Sequence, residues 1–134
     1  MANTVTERTL IDGPRVVVRS VYLLCDGSGE LTNSDALFTA SEYAVGSPST
    51  TLSKVALTRI WWNFTGFAAS LLWKADANVS FFTCNAGTNG YADFRSFGGI
   101  AENAGTGATN DLLITTSGFG SGDLGNIIVE LRKS

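Results

Sequence analysis

Short apolar or alternating runs, separated by Gly and Asn at fairly even intervals, constrain the fold of this chain most strongly. Fifteen glycines stand against two prolines, Pro14 and Pro48. Runs of this length are typical of antiparallel β-strands joined by turns, whereas helices need longer segments with a period of about 3.6 residues. The 134 residues show no internal repeat and no linker. We therefore predict an all-β protein, a single antiparallel β-sandwich with a jelly-roll-like arrangement.

The individual runs predict where the strands lie. We expect strands over residues 15–24, 35–43, 54–64, 69–74, 79–84, 91–97, 111–116 and 125–132. Turns or loops are expected at 26–30, 46–50, 75–78, 98–110 and 117–123. Residues 1–14 are predicted to be an extended N-terminal arm that precedes a β-sandwich domain over 15–134. Residues 65–72 also fit a helical turn, although the segment is too short for an independent helix.

The composition excludes several classes of function. The chain contains no His, which removes Ser-His-Asp and Cys-His catalysis and imidazole metal sites. Nine basic and twelve acidic residues give a net charge of −3. The sequence therefore shows no sign of the basic surface that nucleic-acid-binding proteins use. The longest apolar runs, 16–24 and 67–73, fall short of the roughly 20 residues of a membrane helix. The first residues have no basic start or apolar block, so we expect synthesis in a cytoplasm without a signal peptide.

Carboxylates are the remaining acid–base candidates. Asp26, Glu30 and Asp35 surround a Gly-rich turn, but they lack the spacing of a calcium-binding loop, which favours a solvated turn. Asp93 and Glu102 are a hypothetical glycosidase pair whose separation the sequence does not fix. No segment combines a nucleophile, a base and an oxyanion site. We therefore predict a protein that is not an enzyme and that needs no cofactor or metal.

Two cysteines, Cys25 and Cys84, stand far apart and match no spacing of metal ligands. In a reducing compartment such residues are more often small buried hydrophobes than partners in a disulfide. We therefore expect two buried free thiols.

Adjacent tryptophans are the most informative aromatic feature. Trp61 and Trp62 follow each other on a predicted strand, so their side chains must point to opposite faces. Strict alternation over 54–64 predicts that one side of the strand carries Val55, Leu57, Arg59, Trp61 and Asn63, and that the residues between them point to the other side. Three interpretations stay open for the tryptophan outside the core: an aromatic under a loop, an oligomer or partner interface, and a sugar-stacking platform. Nearby, Asp93 and Arg95 fit an ion pair, an interface arginine or simply exposed charges on a strand.

Both ends of the chain resemble a known family. The segment 4–19, followed by Val21–Leu23 and the Asp26–Gly29 turn, is similar to the start of small virion proteins of tailed bacteriophages. The closing motifs are similar to the C-terminal hairpin of those proteins: Phe97–Ile100, Asn103–Gly107, Asp111–Gly118 and Ile127–Arg132. The similarity fades across residues 34–65, and no motif of the family fixes its contact residues.

The resemblance implies a head decoration (cement) protein on the outside of the virion. Such a protein binds the major capsid protein, commonly as a homotrimer, and stabilises the head against the pressure of the packaged DNA. A tail, neck or fibre protein and a carbohydrate-binding module are the alternatives. We expect deletion of residues 1–12 to leave the fold intact and to abolish head binding, because an arm can add a strand to a neighbouring sheet. The predicted contact residues are Val5, Arg8, Leu10, Arg15, Trp61 and Trp62.

Overall fold

The computed structural model describes residues 3–27, 30–46 and 50–134. Parts of three predicted segments lie outside these ranges: residues 1–2 of the arm, 28–29 of the first turn and 47–49 of the loop at 46–50. Over the described ranges the chain forms twelve strands. They are β1 (Thr4–Asp12), β2 (Val16–Leu24), β3 (Ser34–Phe38), β4 (Ala44–Val45), β5 (Thr50–Thr51), β6 (Val55–Phe64), β7 (Ala68–Trp73), β8 (Val79–Cys84), β9 (Asn89–Asp93), β10 (Ile100–Ala101), β11 (Leu112–Ser117) and β12 (Leu124–Lys133).

The strands form two packed antiparallel sheets, which confirms the predicted all-β sandwich. A six-stranded sheet has the order β1-β2-β12-β6, with β9 and β10 sharing the far edge of β6. A four-stranded sheet has the order β3-β11-β7-β8, and β4 pairs with β5 in a small separate hairpin. The antiparallel pairs β2–β12, β3–β11, β6–β9 and β7–β8 are nested along the chain, which is compatible with the jelly-roll-like prediction.

The core lies between the sheets and is built from the inward side chains of both. Trp73, Phe38 and Phe67 are its largest apolar members, and all three are fully buried. The Phe67 ring packs against Phe64 and Phe119, with ring centroids 4.4 and 4.5 Å away. Aromatic contacts of this kind add to the free energy of burying apolar area. A small number of large aromatic side chains therefore fills much of the space between the two sheets.

Two predicted strands end earlier in the structure than the sequence indicates. The strand expected over 35–43 ends at Phe38 and continues as a 3₁₀ turn, Ala40–Glu42. That change of direction is fixed by Asp111, whose Oδ1 accepts a hydrogen bond from the Ala40 amide at 2.7 Å. The strand expected over 91–97 likewise ends at Asp93, before a second 3₁₀ turn, Arg95–Phe97.

The alternative of a helical turn over 65–72 is wrong. Residues 68–73 form β7, whose side chains alternate between half-buried and buried positions. β7 pairs with β11 on one side and β8 on the other. Pairing on both sides satisfies the backbone amides and carbonyls of this segment, which a short isolated helical turn would not do.

The predicted N-terminal arm is an edge strand of the six-stranded sheet. β1 is extended, as predicted, and pairs with β2 along its length, with a bulge at Leu10. Glu7 and Thr9 face the interior, where the buried Arg19 guanidinium donates to them at 2.6 and 3.2 Å. Arg19 also donates to the carbonyls of Ala36 and Leu37 at 2.8 and 3.1 Å, and so joins the two sheets.

A β-bulge in β6 changes which side chains share a face. Glu130 of β12 lies opposite Arg59, but the next residue, Leu131, lies opposite Leu57, so Thr58 is the extra residue. A bulge places two consecutive side chains on the same side of a sheet. The strict alternation predicted for 54–64 is therefore wrong beyond Leu57. The residues facing the core are Val55, Leu57, Ile60, Trp62 and Phe64.

The turn after β9 depends on a close backbone approach at Gly99. This residue has a φ of +93°, and a Cβ there would lie 2.9 Å from the carbonyl oxygen of Leu57. Only glycine combines that left-handed conformation with such a contact at low cost. The turn therefore folds tightly against β6 and holds Arg95 and Phe97 at the edge of the six-stranded sheet.

Candidate binding face

The outer face of the six-stranded sheet carries a continuous group of aromatic, charged and amide side chains. The outer face is the side of this sheet that points away from the four-stranded sheet. Directly opposed residues of antiparallel strands present their side chains on the same side. The register therefore defines two cross-strand rows, one that contains an aromatic pair and one that is rich in charge. The first row is Tyr91, Trp61, Ile128, Ser20 and Arg8, and the second is Asp93, Arg59, Glu130, Val18 and Ile11.

An aromatic pair forms one end of the first row. The rings of Trp61 and Tyr91 lie 5.3 Å apart at an interplanar angle of 32°. The guanidinium carbon of Arg59 lies 5.1 Å from the centroid of the Trp61 ring, within the range of a cation–π contact. Tyr91 is 48% exposed although it is one of the larger apolar side chains. These contacts hold a flat aromatic surface in place on the outside of the sheet.

The bulge in β6 directs two side chains onto one carboxylate. Arg59 donates to both oxygens of Glu130, with Nε–Oε2 at 2.8 Å and Nη2–Oε1 at 2.5 Å. The Thr58 hydroxyl lies 2.8 Å from Glu130 Oε2. The hydrogen bonds from Arg59 lower the pKa of Glu130, and the same pairing raises the pKa of Arg59. Both groups therefore stay charged near neutral pH, and each largely neutralises the other.

A second ion pair lies at the edge of the outer face. Arg95 Nη2 donates to Asp93 Oδ2 at 2.7 Å, and Arg95 Nε lies 3.0 Å from Asp93 Oδ1. The Arg95 amide also donates to this carboxylate, at 2.9 Å. The Arg95 side chain lowers the pKa of Asp93. The structure forms the ion pair, which is one of the interpretations left open for these residues.

Two shallow, open concavities lie on this face. One has a volume of about 320 Å³ and is lined by Val16, Thr58, Arg95, Gly98, Glu130 and Arg132. The other has a volume of about 310 Å³ and is lined by Trp61, Trp62, Asn63, Asn126 and Ile128. The first is rich in charge, whereas the second combines indole, amide and aliphatic groups. Such mixtures are typical of surfaces that bind a partner or ligand.

The prediction that the two tryptophans point to opposite faces is confirmed. Trp62 packs against the core, with its ring 5.8 Å from Phe82 in an edge-on contact. Its Nε1 donates to the Thr88 hydroxyl at 3.1 Å. Trp61 is half-buried on the outer face. Of the two tryptophans predicted as contacts, Trp61 is therefore the one on the outer face.

The other predicted contact residues lie on or next to β1. Val5 is half-buried and packs against the core from the inner side. Arg8 is exposed on the outer face, opposite Ser20. Leu10 is exposed at the bulge, and Arg15 is exposed in the turn between β1 and β2. The structure therefore brings Arg8 and Trp61 onto one face, in the same cross-strand row, and leaves Val5 behind it.

The carboxylates considered as catalytic or metal-binding groups make local structural contacts. Glu30 accepts hydrogen bonds from the amides of Gly118 and Phe119 at 2.9 and 3.1 Å. The Glu102 carboxylate accepts one from the Ala104 amide, at 2.6 Å, and is buried. Over residues 3–27, 30–46 and 50–134, no group of three or more His, Cys, Asp or Glu side chains could hold a metal ion.

Sequence reasoning missed the pair formed by Arg59 and Glu130. Each lies in a long apolar strand, and their opposite charges were the available signal. Strict alternation, however, placed Arg59 on the same side as Val55 and Leu57, which is the core side. The contact could be found only by allowing a one-residue bulge, whose position depends on the pairing of β6 with β12.

Comparisons with known proteins leave the chain without an assigned family. No protein-family model matches it, and a search of curated proteins finds no match. Within the described part of the chain, none of the helical segments is long and apolar enough to span a membrane.

Proposed function

We propose that this protein is a capsid decoration protein of a tailed bacteriophage. It binds the outside of the assembled head through the major capsid protein, acts as a homotrimer and stabilises the head. The observation that carries the proposal is the Trp61–Tyr91 pair on the outer face, where Tyr91 is exposed. The resemblance of both chain ends to small virion proteins supplies the identity of the partner.

The aromatic pair supports protein binding because of its position and surroundings. Trp, Tyr and Arg are enriched among the residues that contribute most to protein interfaces. Here Trp61, Tyr91 and Arg59 contact one another, so little side-chain freedom is lost when a partner covers them. A set of pre-ordered side chains lowers the entropic cost of binding.

The balance of charge supports the same role. Charged residues make up 16% of the sequence, and the net charge is −3. Two ion pairs of the outer face, Arg59–Glu130 and Arg95–Asp93, are already satisfied within the chain. Binding that depends on apolar and shape-matched contact changes little with salt, whereas exposed unpaired charges are screened. A homotrimer that binds through three linked copies of this face also gains avidity.

Co-sedimentation with isolated phage heads tests the proposal. The unmodified protein should pellet with heads that lack it and raise their thermal stability. Trp61→Ala should weaken binding at least about tenfold, as expected for an aromatic at the centre of an interface. Val79→Ala, on an exposed residue of the four-stranded sheet, is the matched control and should bind normally.

Three outcomes would contradict the proposal in different ways. Co-sedimentation with purified tails rather than heads would assign a tail, neck or fibre position. Equal binding by Trp61→Ala and the unmodified protein would remove the outer face from the interaction. Light scattering that gives a stable mass other than three times the 14.1 kDa chain, both alone and on the head, would contradict the trimer.

Carbohydrate binding is a second candidate, favoured by one specific observation. The concavity beside Trp61 is also lined by the amide side chains of Asn63 and Asn126. A flat aromatic ring next to amide groups can stack on a sugar and bond its hydroxyls. Titration with a host polysaccharide should then change tryptophan fluorescence, and the change should be absent in Trp61→Ala. A flat titration of the unmodified protein would exclude this function.

A further inference from the structure

The concavity lined by Thr58, Arg95, Glu130 and Arg132 has an unbalanced set of charges. Three arginines, Arg59, Arg95 and Arg132, stand in or beside it with two carboxylates, Glu130 and Asp93. Arg59 is paired with Glu130 and Arg95 with Asp93. This leaves one positive charge, that of Arg132, without a counterion in the site.

Arg132 lines this concavity from β12. It lies on the outer face of β12, opposite Val16 of β2 and Ala56 of β6, and is exposed. Over the ranges 3–27, 30–46 and 50–134 no hydrogen bond or ion pair involves its guanidinium. An arginine presents a planar set of donors that fits a carboxylate with two parallel hydrogen bonds. The available donors therefore point to a carboxylate as the missing partner.

Apolar groups border the same concavity. Val16, on its wall, is an exposed apolar residue of β2. The 3₁₀ turn that carries Arg95 ends at Phe97, which is 67% exposed, and is followed by Gly98 in the wall. Contiguous exposed apolar surface that is rimmed by polar groups marks interaction sites. A ligand that pairs an apolar group with a negative charge would satisfy both features.

We propose that this concavity binds an acidic side chain of a partner protein, next to an apolar residue of that partner. Arg132 and the free edge of Arg95 hold the carboxylate, while Val16 and Phe97 contact the apolar neighbour. Glu130 does not repel the incoming charge strongly, because Arg59 and Thr58 already neutralise and bond it. The inference deepens the proposed function, on which it rests for the identity of the partner as the capsid protein.

A pair of capped dipeptides tests the site without any phage component. N-acetyl-Leu-Glu-amide and N-acetyl-Leu-Gln-amide differ by one charge and are added separately to isotope-labelled protein. The Glu peptide should shift the NMR signals of Thr58, Arg95 and Gly98 several-fold more than the Gln peptide. Arg132→Gln should abolish the difference. Lys74→Gln, which removes an exposed cation at the end of β7, should preserve it.

Several results would contradict the proposed carboxylate site. No shift with either peptide, equal shifts with both, or an unchanged response in Arg132→Gln would each overturn the site. Urea unfolding of Arg132→Gln should give the midpoint of the unmodified protein, since the exposed guanidinium makes no contact that the fold needs. A large loss of stability would itself contradict the free state assigned to Arg132.

Head binding separates this inference from the proposed function. If the unmodified protein binds heads, Arg132→Gln should bind about tenfold more weakly, and Lys74→Gln normally. Equal binding by all three proteins would remove the site from capsid recognition. If the unmodified protein binds no heads while the dipeptide response persists, the proposed function fails and the carboxylate site stands.

Discussion

Lys133 donates a hydrogen bond from Nζ to Oδ1 of Asp12 over 2.8 Å, so the last residue of β12 is tied to the last residue of β1. The Lys133 side chain is 1% exposed, whereas Asp12 is 51% exposed. The ammonium group also lies 5.9 Å from the ring centroid of Tyr43. A buried cation needs a partner, and β1 supplies it. The N-terminal segment is therefore part of the electrostatic balance of the sandwich.

Replacing Asp12 tests this dependence directly. Asp12→Ala should lower the free energy of unfolding by about 2 kcal/mol, less than the roughly 3–5 kcal/mol of a fully buried pair, because Asp12 is half exposed. Urea unfolding followed by tryptophan fluorescence measures the change. Asp12→Asn keeps an acceptor oxygen and should lose less stability. An Asp12→Ala midpoint equal to that of the unmodified protein would show that Lys133 needs no partner.

Deletion of residues 1–12 should now be expected to cost more stability than Asp12→Ala. The deletion removes Glu7 from Arg19 as well as Asp12 from Lys133, and both cations are buried. It also leaves the outer edge of β2 unpaired. Circular dichroism melts of the deleted and full-length proteins measure the difference. Equal melting temperatures would support the expectation from sequence that the fold is independent of this segment.

A pair of glycine substitutions separates backbone strain from steric contact. Gly99 and Gly105 have φ values of +93° and +90°, but a Cβ at Gly105 would meet nothing within 4 Å. Gly105→Ala should cost about 1 kcal/mol for the left-handed conformation alone. Gly99→Ala should cost about 2–4 kcal/mol, since its Cβ would also press on the Leu57 carbonyl. Equal costs, measured by urea unfolding, would contradict the close approach at Gly99.

The sequence predicted most strands because their apolar runs are bounded by turn residues. The expectation over 79–84 coincides with β8, and that over 54–64 differs from β6 by one residue. The two-residue strands β4, β5 and β10 could not be predicted, because their pairing depends on the assembled fold. The end of β3 was missed for a similar reason, since Asp111 lies 71 residues from the amide that it bonds.

The candidate site was predictable in part. The opposite directions of Trp61 and Trp62 follow from strand geometry alone. The placement of Arg59 does not, because the bulge at Thr58 is a property of the pairing between β6 and β12. The interior position of Arg19 does follow from alternation in β2, but its partners on β1 and β3 do not. Alternation along a strand therefore predicts on which face of the sheet a side chain lies where the register is regular. The contacts of that side chain depend on which strands pair.

Acid should weaken the fold partly through Glu130. Arg59 holds the native pKa of this carboxyl below its usual value. Its contribution to stability is therefore complete above the unfolded pKa of about 4.3 and is lost as pH falls through the lower native pKa. Urea unfolding between neutral pH and pH about 3 should show a shallower decline for Glu130→Gln than for the unmodified protein. Glu42→Gln, at an exposed position, is the control and should keep the original profile. Parallel profiles for all three proteins would contradict the role of Glu130.

Both cysteines are free and buried, as the sequence predicted, and this determines their reactivity. Burial raises the pKa of the Cys84 thiol to about 12. The thiolate is the reactive form, so a native protein at pH about 8 should contain almost none of it at Cys84. The Cys25 Sγ is also enclosed, where it donates to the Phe119 carbonyl oxygen at 3.3 Å. A thiol reagent such as Ellman's should therefore detect neither cysteine in the native protein and both after denaturation in urea.

Cys25→Ala and Cys84→Ala each leave one thiol and assign any native reaction to a residue. Rapid native modification in Cys25→Ala would show that Cys84 is accessible and would contradict its placement in the core.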